Sequence, residues 1–357
     1  MTDDAARGTD DASGGSDDVT ADATAHRDVV VVGGGPAGSA VAVFTARYGL
    51  DTTVFDRGNG ALPRCAYLEN YPGFPGGIDV DVFRDLLAAH LKDAGAALVP
   101  DHVVSVERPA EDGPFVVETQ DDRRVAADAI VAAAWYDGSH LDGLDDDEMF
   151  EAHEHHGEVE ERFDPEYADA DGRTPIDGLY VASPAGSRSA QAIVAAGNGA
   201  HVARSLLADR RRDRGYTGGL VPEYDWVRRD AEFSGEWADR DRWREWYENE
   251  TDDDADVSPE RHEELREAYV DEAFETRVTD EEAERRAEAG LERFVEVVGH
   301  DRVLDAVDDD AIHEYVDDTA SSEGSDAGAT SDDSNDDPAR VDDDATCEDD
   351  DRTEASD

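Results

Sequence analysis

Val29 to Val32 is apolar at every position, the mark of a short strand buried in a parallel sheet. It runs into Gly33, Gly34, Gly35 and Pro36, and a small-residue helix then carries the chain to Tyr48 before Gly49 stops it. A second apolar run, Thr52 to Phe55, completes a strand–helix–strand unit. After a glycine- and proline-rich loop, Val82, Leu86, Leu87, Ala89 and Leu91 fall on or near one face of a helix predicted over Asp79 to Gly95. Strands are predicted at Ala97–Val99 and His102–Val106, a hairpin from Phe115–Thr119 and Arg123–Ala127 around Asp121 and Asp122, and a central strand over Ala129–Ala134. The pattern resumes with a strand at Gly178–Ala182 and a helix from Ser189 to Asp209, in which Gly197 and Gly199 favour close approach over helix strength. Tyr224 to Asp318 is helical and charged. Trp226, Phe233, Trp237, Trp243 and Trp246 form an aromatic group there. Thr279 with Glu282 makes a capping box, and Ala283, Ala287, Leu291, Phe294, Val295 and Val298 trace one face before Gly299.

This order predicts an α/β fold: a doubly wound, Rossmann-like domain whose parallel sheet carries a β-hairpin insertion, followed by a C-terminal helical extension. The boundaries expected are an acidic tail over 1–26, a dinucleotide-binding domain over 27–210, a helical region over 211–318 and a second acidic tail over 319–357. Within the domain, 135–170 is polar and is expected to be a solvated loop. Its His153, His155 and His156 raise metal binding, but their spacing on a segment without a clear period does not converge, so no metal is expected.

Charge changes the picture. The 357 residues hold 92 acidic against 32 basic side chains, a net −60, and Lys92 is the only lysine. Such a surface is tolerable where salt screens it, since the Debye length falls to about 3 Å near 1 M. A halophilic, cytoplasmic protein is expected. The charge argues against nucleic acid and anionic membranes, and no apolar run approaches the roughly 20 residues a bilayer needs. The two cysteines, Cys65 and Cys347, are far apart and form no C-x-x-C, so a dithiol centre is not expected; Cys65 is read as a small buried hydrophobe rather than a reactive thiol.

The chemistry concentrates at the first glycines. Gly33 allows the tight turn, Gly35 lets backbone approach a pyrophosphate, and Gly38 lets the helix pack on the strand. The open N–H groups of that helix favour phosphate, and Asp56 follows at the distance where a carboxylate binds a ribose hydroxyl.

Three stretches in order, "VVVVGGGPAGSAVAVFTARYGLDTTVFDR", "YLENYPGFPGGI" and "DGRTPIDGLYVASPAGSRSAQAIVAAGNGA", resemble the FAD domain of the thioredoxin reductase family, most closely haloarchaeal thioredoxin reductase-like FAD-dependent oxidoreductases. The likeness spans roughly Asp28 to Leu207. It implies FAD, with Gly33, Gly34, Gly35, Pro36, Ala37 and Gly38 around the pyrophosphate and Asp56 on the adenosine ribose. Asn70 lies near the flavin ring in this reading, Gln191 and Ala192 meet its pyrimidine side, and Arg57, Val103, Ala133 and Ser183 complete the site. Two positions depart: Ala133-Ala134-Trp135 stands where the family has A-T-G, and Ala182-Ser183-Pro184 where it has A-G-D. Loss of that carboxylate removes a charge-assisted hydrogen bond of about 1.5–3 kcal/mol, so FAD is expected to bind more weakly or through Ser183 and Ser187. The family also inserts an NADPH domain with a redox dithiol where this chain has only Ala134 to Asp169. An FAD-dependent oxidoreductase is expected, reduced by an external donor, either NAD(P)H or a reduced protein, and plausibly a homodimer. His102, Tyr71 and Cys65 are candidates to lie near the ring, without assigned roles. A non-catalytic FAD- or nucleotide-binding protein, or one subunit of a two-component reductase, is the alternative.

Overall fold

The computed structural model describes residues 25–110, 112–134, 138–144, 148–155, 158–183, 191–222, 226–252 and 257–326. Residues up to His300 form one compact unit and those from Asp301 a second.

The first unit opens with strand β1 (Ala25–Val32), helix α1 (Pro36–Arg47) and strand β2 (Thr52–Phe55), then α2 (Val80–Asp93) and β3 (Ala97–Val99). β4 (Val103–Glu107), β5 (Phe115–Thr119) and β6 (Arg124–Ala132) follow. A second hairpin, β7 (Phe150–His155) and β8 (Glu158–Phe163), precedes β9 (Leu179–Val181) and the long α3 (Ala192–Arg214). The sheet has the order β3-β2-β1-β6-β5-β4, with β9 also on β6. The β1–β2, β2–β3, β1–β6 and β6–β9 pairs are parallel, so the α/β class is as expected.

β6 explains how two architectures share one sheet. The sequence separates a hairpin arm ending at Ala127 from a core strand beginning at Ala129, but the structure joins them in one strand. Its first half pairs antiparallel with β5 and its second half parallel with β9, while β1 runs along its other side. The exposed Asp128 stands where the partner changes, held by His26 Nε2 at 2.8 Å. Alternation along β1 then divides the core. Val29 and Val31 face α1 and α3, with Val41, Val202, Ala203 and Leu206, and Val30 and Val32 face Phe115, Val117, Leu141, Met149 and Phe163. Fully burying each such side chain stabilises by roughly 1.5–3 kcal/mol.

The expected solvated loop over 135–170 is corrected here. Its 150–163 portion is a β-hairpin in which Phe150 pairs with Phe163, the rings meeting edge-on at 6.2 Å. Buried Met149 and Phe163 explain the difference: two apolar side chains anchor an otherwise acidic segment to the sheet. His153 and His155 fall on β7, whereas Trp135 and His156 lie outside the described residues.

α3 runs through the boundary expected at 210 and ends only at Gly215, whose φ of +105° suits glycine. Beyond it stand β10 (Arg228–Arg229), α4 (Arg240–Glu250), α5 (Pro259–Glu275), β11 (Arg277–Val278) and α6 (Asp280–Val298). Thr279 caps α6, its Oγ1 accepting from the Glu282 amide at 3.2 Å, while the Glu282 carboxylate binds Arg285 and Arg286. The apolar face of α6 is less buried than its pattern implies. Val298 packs near α2, but Leu291 is 66% and Phe294 41% exposed. The second unit holds most of α7 (His300–Ala306) and α8 (Asp309–Asp326), so the helical chain continues past 319, where a tail was expected. No helix among the described residues is long and apolar enough to cross a membrane.

Candidate functional site

The glycine turn lies at the ends of three strands. Gly33 N donates to Phe55 O at 2.8 Å, and Ala133 N donates to Val32 O at 2.8 Å, so the turn is clamped between β2 and β6. Gly33 has a φ of +106°, and a side chain there would meet the Ala133–Ala134 backbone. Gly38 allows α1 to descend onto the turn, because a Cβ would fall 1.8 Å from Gly33 O. Gly199 does the same for α3, where a Cβ would lie 2.1 Å from Ala37 O. The two helices therefore cross in near-backbone contact at the base of the site.

Gly35 is different, with nothing within 4 Å of where its Cβ would be. It is the N-cap of α1, makes no side-chain cap, and Pro36 follows as the first helical residue. The first-turn amides thus face open space at the positive end of the helix dipole, and the first turn has no acidic residue. Asp56 leans over the turn from the end of β2: a Cβ on Gly34 would touch its Oδ2 at 3.0 Å, and its Oδ1 accepts from Gly58 N at 3.2 Å.

A cleft of about 440 Å³ extends from this turn. Its lining includes Asp56, Arg57, Arg84, Leu98, Asp101 and His102, together with Leu62, Cys65, Ser183, Gln191, Ala192 and Ala195. Asn70 Nδ2 donates to Gln191 Oε1 at 2.7 Å, tying the ENYPG loop to the start of α3 across 121 residues. Asn198 Nδ2 donates to Ala182 O at 2.6 Å and fixes α3 against the end of β9.

The cleft wall also holds a buried carboxylate. Burial pushes Asp101 up, but hydrogen bonds from Thr119, the His102 amide and Arg123 outweigh it and leave the carboxyl below its ordinary value. Its Oδ1 accepts from His102 N at 2.7 Å. Asp101 stays charged and orients the backbone beside His102, whose Nε2 lies 3.5 Å from Arg57 Nη1.

The structure brings most of the expected residues together. Gly33, Gly34, Gly35, Pro36, Ala37, Asp56, Arg57, Ala133, Ser183, Gln191 and Ala192 all line the cleft. Gly38 lies beneath it in helix packing, Asn70 reaches it through Gln191, and the Val103 side chain is buried in the core instead. Pro184 and Ser187 lie outside the described residues. His102 and Cys65 do line the cleft, whereas Tyr71 packs with Phe74 and Phe83, and burial raises its phenol pKa. The reading of Cys65 as a buried hydrophobe is corrected: the thiol is exposed at the end of the Leu62–Arg64 turn and lines the cleft. Arg84, Leu98 and Asp101 were missed. They come from α2, β3 and the turn after it, and no motif links them.

The sequence model of the family described as pyridine nucleotide-disulphide oxidoreductase matches residues 27–133, the part of the chain that builds the glycine turn and the Asp56 wall. The chain is also similar to the thioredoxin reductase of Streptomyces coelicolor, 40% identical over 88 residues, which cover 24% of this chain and 27% of that protein. It is also similar to the thioredoxin reductase of Streptomyces clavuligerus, 42% identical over 84 residues covering 23% and 26%. The chain thus spans about a quarter of the length of these curated relatives. A thioredoxin reductase structure from Gloeobacter violaceus aligns with a TM-score of 0.43 and 17% identity, covering 56% of this chain and 97% of that one.

Proposed function

We propose that the protein is an FAD-dependent oxidoreductase. The observation that carries the reading is the open N-terminus of α1 at Gly35, faced across one cleft by the Asp56 carboxylate. The residues fit the cofactor. The backbone N–H groups of Gly34, Gly35 and Ala37 would hold the pyrophosphate, Asp56 the adenosine ribose, and Asn70, Ser183, Gln191 and Ala192 the flavin end. When bound, FAD supplies the hydride and electron chemistry. The protein's part is to bind and orient. Asn70 and Gln191 fix each other's side-chain amides, and Asp101 holds the backbone next to His102. The similarity to thioredoxin reductases supports an oxidoreductase over a simple nucleotide carrier. In this reading the flavin is reduced by a separate donor, NAD(P)H or a reduced protein. The working form is a cytoplasmic homodimer in this reading.

Purification in molar KCl tests it directly. The expected protein is yellow, releases FAD on denaturation, and loses absorbance at about 450 nm with NAD(P)H or a reduced protein donor. Bound FAD should also slow maleimide labelling of Cys65 by about tenfold, since that thiol lines the cleft. A folded protein that takes up no FAD overturns the proposal; one that binds FAD but is bleached only by dithionite points to the non-catalytic alternative.

A further inference from the structure

We propose that the outer face of α3 is the surface on which a second copy of this chain docks, the two helices crossing antiparallel at Gly197. The inference rests on the homodimer of the reading above and not on its cofactor. Burial divides α3 lengthwise: Ala195, Gly199, Val202 and Leu206 pack inward, whereas Ile193, Gly197, His201 and Arg204 are exposed at helical spacing, with Val194 beside them. Ile193 is 36% and Val194 43% exposed, so the strip opens with two apolar side chains in water.

Charge selects this face for self-association. Two copies of a chain carrying −60 repel wherever their carboxylates meet, so a surface they share has to be poor in them. Of the 357 residues 92 are acidic, yet α3 has no Asp or Glu from Ala192 to Ala208. Helix α1 is equally free of acid, but it is largely buried, so its composition needs no partner. On α6, by contrast, the exposed Leu291 and Phe294 lie within a turn of Glu288, Glu292 and Glu296. Asp171 reaches the α3 strip through His201 Nε2 at 2.9 Å, and that carboxylate is already engaged by Arg173 Nη1 at 2.9 Å.

Gly197 fixes the crossing point. Glycine weakens a helix interior, and α3 contains both Gly197 and Gly199. Gly199 has its reason inside the chain, in the close approach to Ala37 O. Around the position of a Gly197 Cβ, nothing among the described residues lies within 4 Å, so no described contact within the chain requires glycine there. A second backbone can approach at that point. An antiparallel crossing of two identical helices about a two-fold axis lets one surface serve both copies. Ile193 then packs against the partner's His201, about one turn to either side of the axis, and the two helix dipoles run in opposite directions. The contact falls within one turn of Gln191 and Ala192, which line the cleft.

Sedimentation equilibrium of the full chain in molar KCl tests this. A dimer is expected. Gly197→Glu, which brings a carboxylate from each copy to the axis, should raise the dissociation constant by about a hundredfold or more, and Ile193→Glu by about tenfold or more. Gly197→Ala should raise it about tenfold while making the chain more resistant to denaturant, a combination that a purely internal role would not give. Leu291→Glu, on the exposed face of α6, should leave it unchanged. Circular dichroism confirms that each variant is folded. Flavin content read in the same samples reports on the cofactor separately, so a colourless dimer with these responses supports the surface while overturning the FAD reading. A monomeric parent chain, a folded Gly197→Glu variant that dimerises as tightly as the parent, or a dimer lost with Leu291→Glu each overturns the proposal.

Discussion

The cleft above β1 and the aromatic cavity beside α4 are built on opposite plans. The cleft is organised around main chain, the Gly33–Gly35 turn and the N-terminus of α1, with charged side chains such as Asp56, Arg57, Arg84 and Asp101 around it. The cavity is lined by five aromatic side chains, Phe233, Trp237, Trp243, Trp246 and Tyr269, with Arg228. Main-chain sites leave a spacing that can be read from sequence, because only glycine meets the geometry. Side-chain sites leave only composition, since the same rings serve packing equally well.

Single substitutions separate the two plans, and the largest effect is expected in the rings. Trp243→Ala should cost about 3–5 kcal/mol in chemical denaturation, because it removes the floor on which Phe233, Trp237 and Trp246 rest. The flavin content of the molecules that remain folded should be unaltered; flavin loss in step with stability would show that the two regions are one cooperative site.

Gly38→Ala should be milder in stability, about 1–3 kcal/mol, yet should empty the cleft, because its Cβ must displace Gly33 O. Flavin absorbance after gel filtration reads this out, and full retention would remove the glycine turn from the binding surface. Asp56→Asn preserves shape and loses charge. It should leave the denaturation midpoint in place and weaken FAD by about tenfold or more, measured by fluorescence titration.

The smallest effect is electrostatic and confined to the helices. Arg244 grips Glu267 with Nε and Nη2 at 2.9 and 2.6 Å, which holds the Glu267 carboxyl down to about 2 from an ordinary 4.5. A depressed folded value means that this contribution is whole above pH 4.5 and is lost as pH falls toward 2. Glu267→Gln should therefore flatten the acid limb of the stability curve by less than about 1 kcal/mol, as expected for a partly exposed pair in salt. An unchanged slope between those two pH values would contradict the assignment.

How much was legible follows the same division. The helix and second strand of the β1–α1–β2 unit were read to within a residue, because periodicity, Pro36 and Gly49 agree there, but β1 starts at Ala25, four residues before the strand read from Val29 and inside the expected tail, where Ala25 and His26 pair with β6. Asp56 was found by its distance from the glycines. Gln191 and Asn70 were named through resemblance alone, and their direct hydrogen bond had no signal in either motif. Asp101 and Arg84 were invisible because they reach the cleft only after the sheet has assembled. The 150–163 hairpin was mistaken for a loop because its charged residues mask the two that matter, Met149 and Phe163. Cys65 failed for the opposite reason: its type favours burial, but it stands exposed at the end of the turn before it.

The Phe150–Phe163 pair also has a bearing on how such a chain can change over time. It joins the two ends of the β7–β8 hairpin at its base, with Phe163 anchored in the core. Between β6 and β9 the fold thus has a graft point, at which sequence can be lengthened, shortened or exchanged while the glycine turn keeps its shape.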